Sequence, residues 1–146
     1  MHRFKEGELG MKLVDFVVEE DTRTLLIEVK DPSASTVPDH QREKYAKKFN
    51  GNELISDQLV PKARSSYTYL HLMKRDSKPF LYVVLFGLER IPIEKALLMG
   101  FKDRLLQRIR HEGKEPWKRL YIKDCIVVMC ENWNNLFKNY PLLREG

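Results

Sequence analysis

Two short apolar runs separated by a charged turn constrain the fold of this chain more than any other feature. Residues 13–18 (LVDFVV) and 25–30 (LLIEVK) are rich in β-branched residues, and most of residues 19–23 between them are charged. This arrangement predicts a β-hairpin. With the turn at residues 21–22, Asp15 is opposite Glu28, and Leu13 is opposite Lys30.

The predicted register places two acidic side chains on the same surface. Because side chains along a strand alternate between faces, Asp15, Glu28 and Lys30 share one face. That face also carries Leu13, Val17 and Leu26, which indicates that it is partly buried. The other face is entirely apolar and consists of Val14, Phe16, Val18, Leu25, Ile27 and Val29.

Two carboxylates opposed across a bare hairpin repel each other by about 0.2–1 kcal/mol. One solution is a solvated face on which Lys30 bridges the acids in an ordinary surface ion pair. The other solution is a cation held between them. Burial of unpaired carboxylates is costly, so a partly buried face favours the cation.

The length and the charge of the chain indicate its number of domains and the kind of partner that it binds. At 146 residues the chain has the size of one domain with its own core, and we predict a single domain over residues 1–146. The net charge of +5 favours an anionic partner such as nucleic acid. No apolar run approaches the ~20 residues that span a bilayer, so no membrane association is expected. Residues 1–7 lack an apolar signal segment, and Cys125 and Cys130 fit reduced thiols, so we expect a cytoplasmic protein.

The rest of the chain predicts helices alternating with strands. A helix over residues 40–49 follows the favourable N-cap Asp39, and a second helix covers about residues 61–74. Residues 80–86 (FLYVVLF) predict a central strand that is buried on both faces. The second helix is indicated by apolar residues at helical spacing: Leu59, Ala63, Tyr67, Leu70 and Met73.

Three further elements complete the predicted order. They are a helix over residues 93–111, a strand over about 120–129 and a helix near 131–139. Helical connections between successive strands favour parallel pairing. We therefore predict an α/β fold whose mixed sheet combines an antiparallel hairpin with parallel strands and is flanked by helices.

An Asp, a Glu and a Lys on one sheet face suit metal-assisted chemistry. Mg²⁺ is commonly held by one or two carboxylates, with water and substrate phosphate completing its coordination. A metal held in this way activates a bound water and neutralises charge on a phosphoryl group. Lys30 on the same face would contact the phosphate or orient the attacking water. The carbonyl of Val29, between Glu28 and Lys30, is a further candidate oxygen ligand.

Asp15 followed by Glu28-Val29-Lys30 on the next strand resembles the PD-(D/E)xK nuclease superfamily, which is also called restriction-endonuclease-like. The order of a catalytic hairpin, a helix and a further apolar strand is similar over residues 11–88. The resemblance implies a restriction-endonuclease-like sheet and a nuclease that depends on Mg²⁺ or Mn²⁺. It also implies that Asp15 and Glu28 ligate the metal and that Lys30 is the catalytic lysine.

One branch of that superfamily, the exonucleases of recombination and repair, has a Q-x-x-x-Y helix after the lysine strand. Gln41 and Tyr45 match this pattern. The resemblance implies that both side chains face the substrate, one helical turn apart. Arg64 on the next predicted helix is a candidate phosphate contact.

Two functions follow from these observations. The first is a metal-dependent phosphodiesterase that hydrolyses DNA, or in second place RNA. The alternative is a non-catalytic nucleic-acid-binding or assembly module that keeps the nuclease fold, because residues 1–10 show no counterpart of the helix that precedes the first strand in the superfamily. A homodimer and a complex with a partner subunit both stay open.

The basic residues that would contact the nucleic-acid backbone are Lys102, Arg104, Arg108, Arg110, Lys114, Lys118 and Arg119.

Overall fold

A computed structural model of the chain describes the backbone of residues 2–3 together with residues 10–31, 44, 51–87 and 95–141. Its strands are β1 (His2–Arg3), β2 (Phe16–Glu19), β3 (Thr24–Lys30), β4 (Phe80–Phe86) and β5 (Asp124–Met129). Its helices are α1 (Val60–Leu72), α2 (Lys95–Arg110) and α3 (Cys130–Leu136), and a π-helical segment (Leu54–Leu59) leads directly into α1. The helix predicted over residues 40–49 lies outside the described residues, apart from Lys44, which is helical.

The strands form one mixed sheet in the order β1-β2-β3-β4-β5. β1, β2 and β3 are antiparallel neighbours, whereas β3, β4 and β5 run parallel. Phe16 lies opposite Ile27, and Val18 lies opposite Leu25, which is the register predicted for the hairpin. The prediction of an α/β fold with an antiparallel pair followed by parallel strands is confirmed.

The first strand of the hairpin is shorter than the sequence predicts. β2 begins at Phe16, so residues 13–15 precede the strand. Val14 was expected on the face of Phe16 and Val18, but it is buried in the apolar cluster on the opposite side of the sheet. Its backbone N–H donates to the hydroxyl of Ser66 in α1 at 2.9 Å, and this bond turns Val14 toward the helix.

The sheet separates two apolar clusters, and every residue of β4 is buried, as predicted. On one side, Tyr82 and Phe86 pack with residues of α1 and α2. On the other side, Val83 and Leu85 pack with Trp133 of α3. Both crossover helices lie on one face, which is the usual result when successive right-handed crossovers progress in one direction across a sheet.

Pro61 explains the wide helical turn that precedes α1. Proline has no N–H, and its ring conflicts with the carbonyl of the residue four positions earlier, here Asp57. The π-helical segment relieves this conflict, and the N–H of Val60 donates to the carbonyl of Ile55, five residues earlier. The hydroxyl of Tyr82 donates to the carbonyl of Leu59 at 2.8 Å, which anchors the segment to β4.

The ends of two other elements differ from the prediction. α1 ends at Leu72 because Lys74 has a φ of 57° and the N–H of Arg75 donates to the carbonyl of Leu70, as in a left-handed helix C-terminus. Met73, the last of the apolar residues at helical spacing, lies beyond the helix and is 54% exposed. The last strand begins at Asp124 instead of near residue 120. Among the described residues, no helix has the length and apolar character needed to cross a membrane.

Candidate functional site

The candidate site lies at the carboxyl end of β3, between the sheet and the helical layer of α1. Glu28 and Lys30 belong to the last part of β3, and Gln58 and Lys62 come from the π-helical segment and the first turn of α1. Ligands of α/β proteins commonly bind outside the carboxyl ends of parallel strands. The site therefore occupies a favourable position for binding in this architecture.

Glu28 is the most deeply buried acidic group of the site, with 1% of its side chain exposed. Its Oε2 atom lies 2.5 Å from Nζ of Lys62 and 3.4 Å from Nζ of Lys30. Its Oε1 atom is buried and has no hydrogen-bond partner among the described residues. Burial raises the pKa of Glu28, and the nearby Asp15 carboxylate adds to the rise, while the hydrogen bond from Lys62 opposes it. An unpaired buried oxygen of this kind is a ready acceptor for a cation or a water.

Lys30 is held in place by two contacts. Its Nζ atom donates to Oε1 of Gln58 at 2.6 Å and forms the ion pair with Glu28. Burial lowers the pKa of Lys30, and the neighbouring Lys62 ammonium also lowers it, whereas Glu28 and Asp15 oppose that change. The side chain is 15% exposed, so the ammonium is fixed at the edge of the site and is still reachable from solvent.

Asp15 enters the site through a contact that the sequence does not predict. Its Oδ2 atom accepts a hydrogen bond of 2.8 Å from the N–H of Val29. Continued beyond Phe16, the register of the hairpin would place Val14 opposite Val29, with the carbonyl of Val14 as the usual acceptor for the Val29 N–H. The Asp15 carboxylate takes that position, which ends the ladder and fixes the carboxylate near Glu28.

A cleft of about 510 Å³ opens beside these residues. Three of its lining residues are lysines: Lys12, Lys30 and Lys62. Asp57 and Gln58 line it from the π-helical segment. Its other lining residues, Gly10, Met11 and Leu13, precede β2. The predicted pairs Leu13–Lys30 and Asp15–Glu28 are therefore not part of the strand ladder, although Leu13 and Lys30 line the same cleft. An excess of ammonium groups makes the cleft suited to an anionic ligand.

The donor set is compatible with a Mg²⁺ or Mn²⁺ ion. Within the described ranges, no group of three or more His, Cys, Asp or Glu side chains is clustered as in a complete protein metal site. Mg²⁺ does not need such a cluster, because it is commonly held by one or two carboxylates together with water and phosphate. Asp15 and Glu28 supply two carboxylates, and the unpartnered Oε1 atom of Glu28 is a ligand atom in a position to bind.

The other predicted contact residues are not brought into this cleft. Gln41 and Tyr45 lie outside the described residues. Arg64 in α1 pairs with Glu112, beyond the end of α2, and it does not line the cleft beside Glu28. The role of these three residues in nucleic-acid binding stays a prediction, as does the role of the Val29 carbonyl as a metal ligand.

The sequence did not assign Gln58 or Lys62 to this site. From the sequence, Lys62 is one of several basic residues on a helix, without an assigned partner. The only signal is that Gln58 and Lys62 are four residues apart and flank the buried pair Leu59 and Ala63 on a helix. That signal becomes informative only when the packing of α1 against the end of β3 is known.

The chain was compared with known protein families, with curated proteins and with solved structures, and none of them matched. What bears on function is therefore the geometry of the site. Two carboxylates, two ammonium groups and an amide converge at one end of β3. Of these five groups, those of Lys30, Lys62 and Gln58 belong to residues that line the lysine-rich cleft.

Proposed function

We propose that this chain is a Mg²⁺-dependent nuclease with a restriction-endonuclease-like fold. The observation that carries the proposal is the convergence of Asp15, Glu28 and Lys30 at the carboxyl end of β3, beside a cleft suited to an anion. These are the three residues that the PD-(D/E)xK resemblance implies. The mixed sheet, with its antiparallel hairpin followed by parallel strands, is compatible with that superfamily.

The residues divide the chemistry between them. Asp15 and Glu28 would hold the metal, with the carbonyl of Val29 as a further oxygen ligand. When bound, the metal supplies an activated water and neutralises charge on the phosphate. Lys30 donates a hydrogen bond to a phosphate oxygen as negative charge develops on it, and Gln58 fixes the Lys30 ammonium for that contact.

A nucleic acid is the phosphodiester that best suits the charge distribution, and the nuclease resemblance places DNA before RNA. Residues 108–123 contain six Lys or Arg residues against two Glu residues, which gives this segment +4 of the chain's net charge of +5. Residues 114–120 within it are all exposed. Trp117 in this stretch is 43% exposed, and an accessible aromatic ring beside basic side chains suits a single-stranded base and its phosphates.

The test is cleavage of labelled single-stranded DNA, duplex DNA and RNA in Mg²⁺, in Mn²⁺ and in EDTA. Glu28→Gln is the inactive variant for comparison, because it removes the charge of one metal ligand and keeps the shape of the side chain. We expect cleavage that requires the metal and is lost in Glu28→Gln. Cleavage that continues in EDTA, or that is unchanged in a folded Glu28→Gln protein, would rule out the assigned chemistry.

One observation favours a second candidate function. The ammonium of Lys62 already neutralises Oε2 of Glu28, so the two carboxylates and two lysines balance without a metal. A non-catalytic nucleic-acid-binding or assembly module would keep this arrangement. It would bind nucleic acid with an affinity that falls as salt rises and would show no turnover with any divalent metal. Co-purification with a second, active chain would indicate a helper subunit of a larger enzyme.

A further inference from the structure

We infer that Lys62 competes with the metal ion for Glu28 and so sets the metal affinity of the site. The inference rests on the proposed function, because it concerns the metal of that site. It goes beyond that function by assigning a role to a residue of α1 that lies outside the nuclease motif of the hairpin.

The contact between Lys62 and Glu28 places an ammonium on the carboxylate that a metal would need. Nζ of Lys62 is 2.5 Å from Oε2 of Glu28, in a place where only 1% of the Glu28 side chain is exposed. A divalent cation bound through the same carboxylate would lie within a few ångström of this ammonium. Two cations that close repel strongly at the reduced dielectric of a buried site. The ammonium and the metal therefore cannot both bind Glu28 well.

The two lysines at Glu28 are not equivalent. Lys30 is 3.4 Å from Glu28, and its ammonium donates to Gln58 at 2.6 Å. Lys62 is closer to Glu28, at 2.5 Å. Lys62 lines the cleft and is 19% exposed, and its flexible side chain can turn its ammonium toward that cleft without a backbone movement. Because Lys62 makes the shorter of the two contacts with Glu28, its ammonium is the cation that a metal on this carboxylate displaces.

Displacement of Lys62 from Glu28 would also affect the binding of a phosphate in the cleft. When Lys62 leaves Glu28, its ammonium faces the cleft that Lys12 and Lys30 also line. A phosphate in the cleft would then meet this additional positive charge. Metal binding and phosphate binding are therefore coupled through one side chain, and the metal affinity without nucleic acid is low.

The experiment measures Mn²⁺ binding by isothermal titration calorimetry, in the absence of nucleic acid. It compares the wild-type chain with Lys62→Met, which removes the charge and keeps the length of the side chain. Lys12→Met is the matched control, because it removes a lysine charge from the same cleft without a contact to Glu28. We expect Lys62→Met to bind Mn²⁺ about tenfold more tightly than wild type and Lys12→Met to differ by less than about threefold, since interaction between charges falls with distance.

Two further variants keep the result interpretable if Lys62→Met folds poorly. Lys62→Gln retains an N–H donor for Glu28 without the charge, and we expect it to bind Mn²⁺ more tightly than wild type. The double variant Glu28→Gln, Lys62→Met lacks the ligand, and its calorimetric signal should disappear. Thermal denaturation with and without Mn²⁺ should rank the variants in the same order of Mn²⁺ affinity, with the largest rise of the Tm on addition of Mn²⁺ in Lys62→Met.

The outcomes separate the inference from the function on which it rests. Equal Mn²⁺ affinity in wild type, Lys62→Met and Lys62→Gln would overturn the competition and leave the metal site standing. An equal gain in Lys12→Met would show that the effect is the general charge of the cleft and would also overturn it. Absence of Mn²⁺ binding in all of these proteins would contradict the metal-dependent nuclease itself, and the inference would fall with it.

Discussion

The carboxylate of Asp15 accepts a hydrogen bond of 2.8 Å from the backbone N–H of Val29. Through this bond a side chain replaces the strand carbonyl that would otherwise pair with β3. The contact fixes Asp15 close enough to Glu28 to raise the pKa of that group. One interaction therefore ends a strand and positions a carboxylate of the candidate site.

Substitution of Asp15 separates these two roles. Asp15→Ala leaves the N–H of Val29 without its acceptor, and we expect the free energy of unfolding to fall by about 1–2 kcal/mol. Asp15→Asn keeps an oxygen that can accept the bond, so its stability should stay close to wild type, while both variants lose cleavage. Urea denaturation and a cleavage assay on the same preparations measure the two effects. A fully active Asp15→Asn protein would remove Asp15 from the metal site.

The bond between Val14 and Ser66 links the segment before β2 to α1. Both residues are buried, and the serine hydroxyl accepts the N–H of Val14 at 2.9 Å. Ser66→Ala would leave that buried N–H unsatisfied and should lower the free energy of unfolding by about 1–2 kcal/mol. Ser65→Ala, at the partly exposed neighbouring position, is the control and should change stability by less than about 0.5 kcal/mol. Equal effects of the two substitutions would show that the bond contributes nothing specific.

The pH dependence of stability reports the burial of Glu28. Burial raises the pKa of Glu28 above its ordinary value of 4.5, so the folded protein binds more protons than the unfolded chain does. Stability from this group is therefore complete below about pH 4.5 and is lost as the pH rises through the pKa of the folded state. We expect wild type to lose stability relative to Glu28→Gln as the pH rises from about 4 to about 7.

Urea denaturation of both proteins at several pH values measures this difference. Lys30 affects the pH dependence of the free energy of unfolding in the opposite direction. Because its pKa is lowered in the folded protein, its contribution to stability increases as the pH rises from the folded-state pKa to the ordinary value of 10.5. The assigned burial would be contradicted if the difference in the free energy of unfolding between wild type and Glu28→Gln stayed constant over the acidic range. It would also be contradicted if that difference changed in favour of wild type as the pH rose.

The hairpin and β4 could be predicted from sequence because local periodicity determines them. Alternation fixes the pairing of Phe16 with Ile27, and a continuous apolar run suffices to place β4 in the centre of the sheet. The same register brings Glu28 and Lys30 to one end of β3, whereas Asp15 precedes β2 and is placed by its side-chain bond to the N–H of Val29. Val14 departs from the alternation because its backbone binds Ser66, a partner 52 residues away.

The other side of the site could not be predicted, because it depends on tertiary packing. Lys62 and Gln58 reach the end of β3 only through the placement of α1, which Pro61 and the π-helical turn adjust. No local pattern in the sequence predicts how α1 packs against the end of β3. Arg64, two residues after Lys62 on the same helix, instead pairs with Glu112, so a basic residue type alone does not distinguish the two positions.

The two cysteines should differ in reactivity. Cys125 is buried in β5, and burial raises its pKa to about 12, so almost none of it is thiolate near neutral pH. Cys130 is partly accessible at the start of α3. We expect iodoacetamide to label the folded Cys125→Ser protein much faster than the folded Cys130→Ser protein, with equal labelling of both in denaturant. Mass spectrometry of the labelled proteins measures the rates, and fast labelling at Cys125 would contradict its burial.

The most direct test of the central claim is metal-dependent cleavage by wild type and by Lys30→Ala, with Lys138→Ala as a charge control on the exposed segment after α3. Lys30 is the residue that the nuclease interpretation requires and that a nucleic-acid-binding module does not. We expect Mg²⁺-dependent cleavage in wild type and in Lys138→Ala, and its loss in a Lys30→Ala protein that is still folded by circular dichroism. Cleavage at an unchanged rate in Lys30→Ala, or no cleavage by folded wild type in either Mg²⁺ or Mn²⁺, would contradict it.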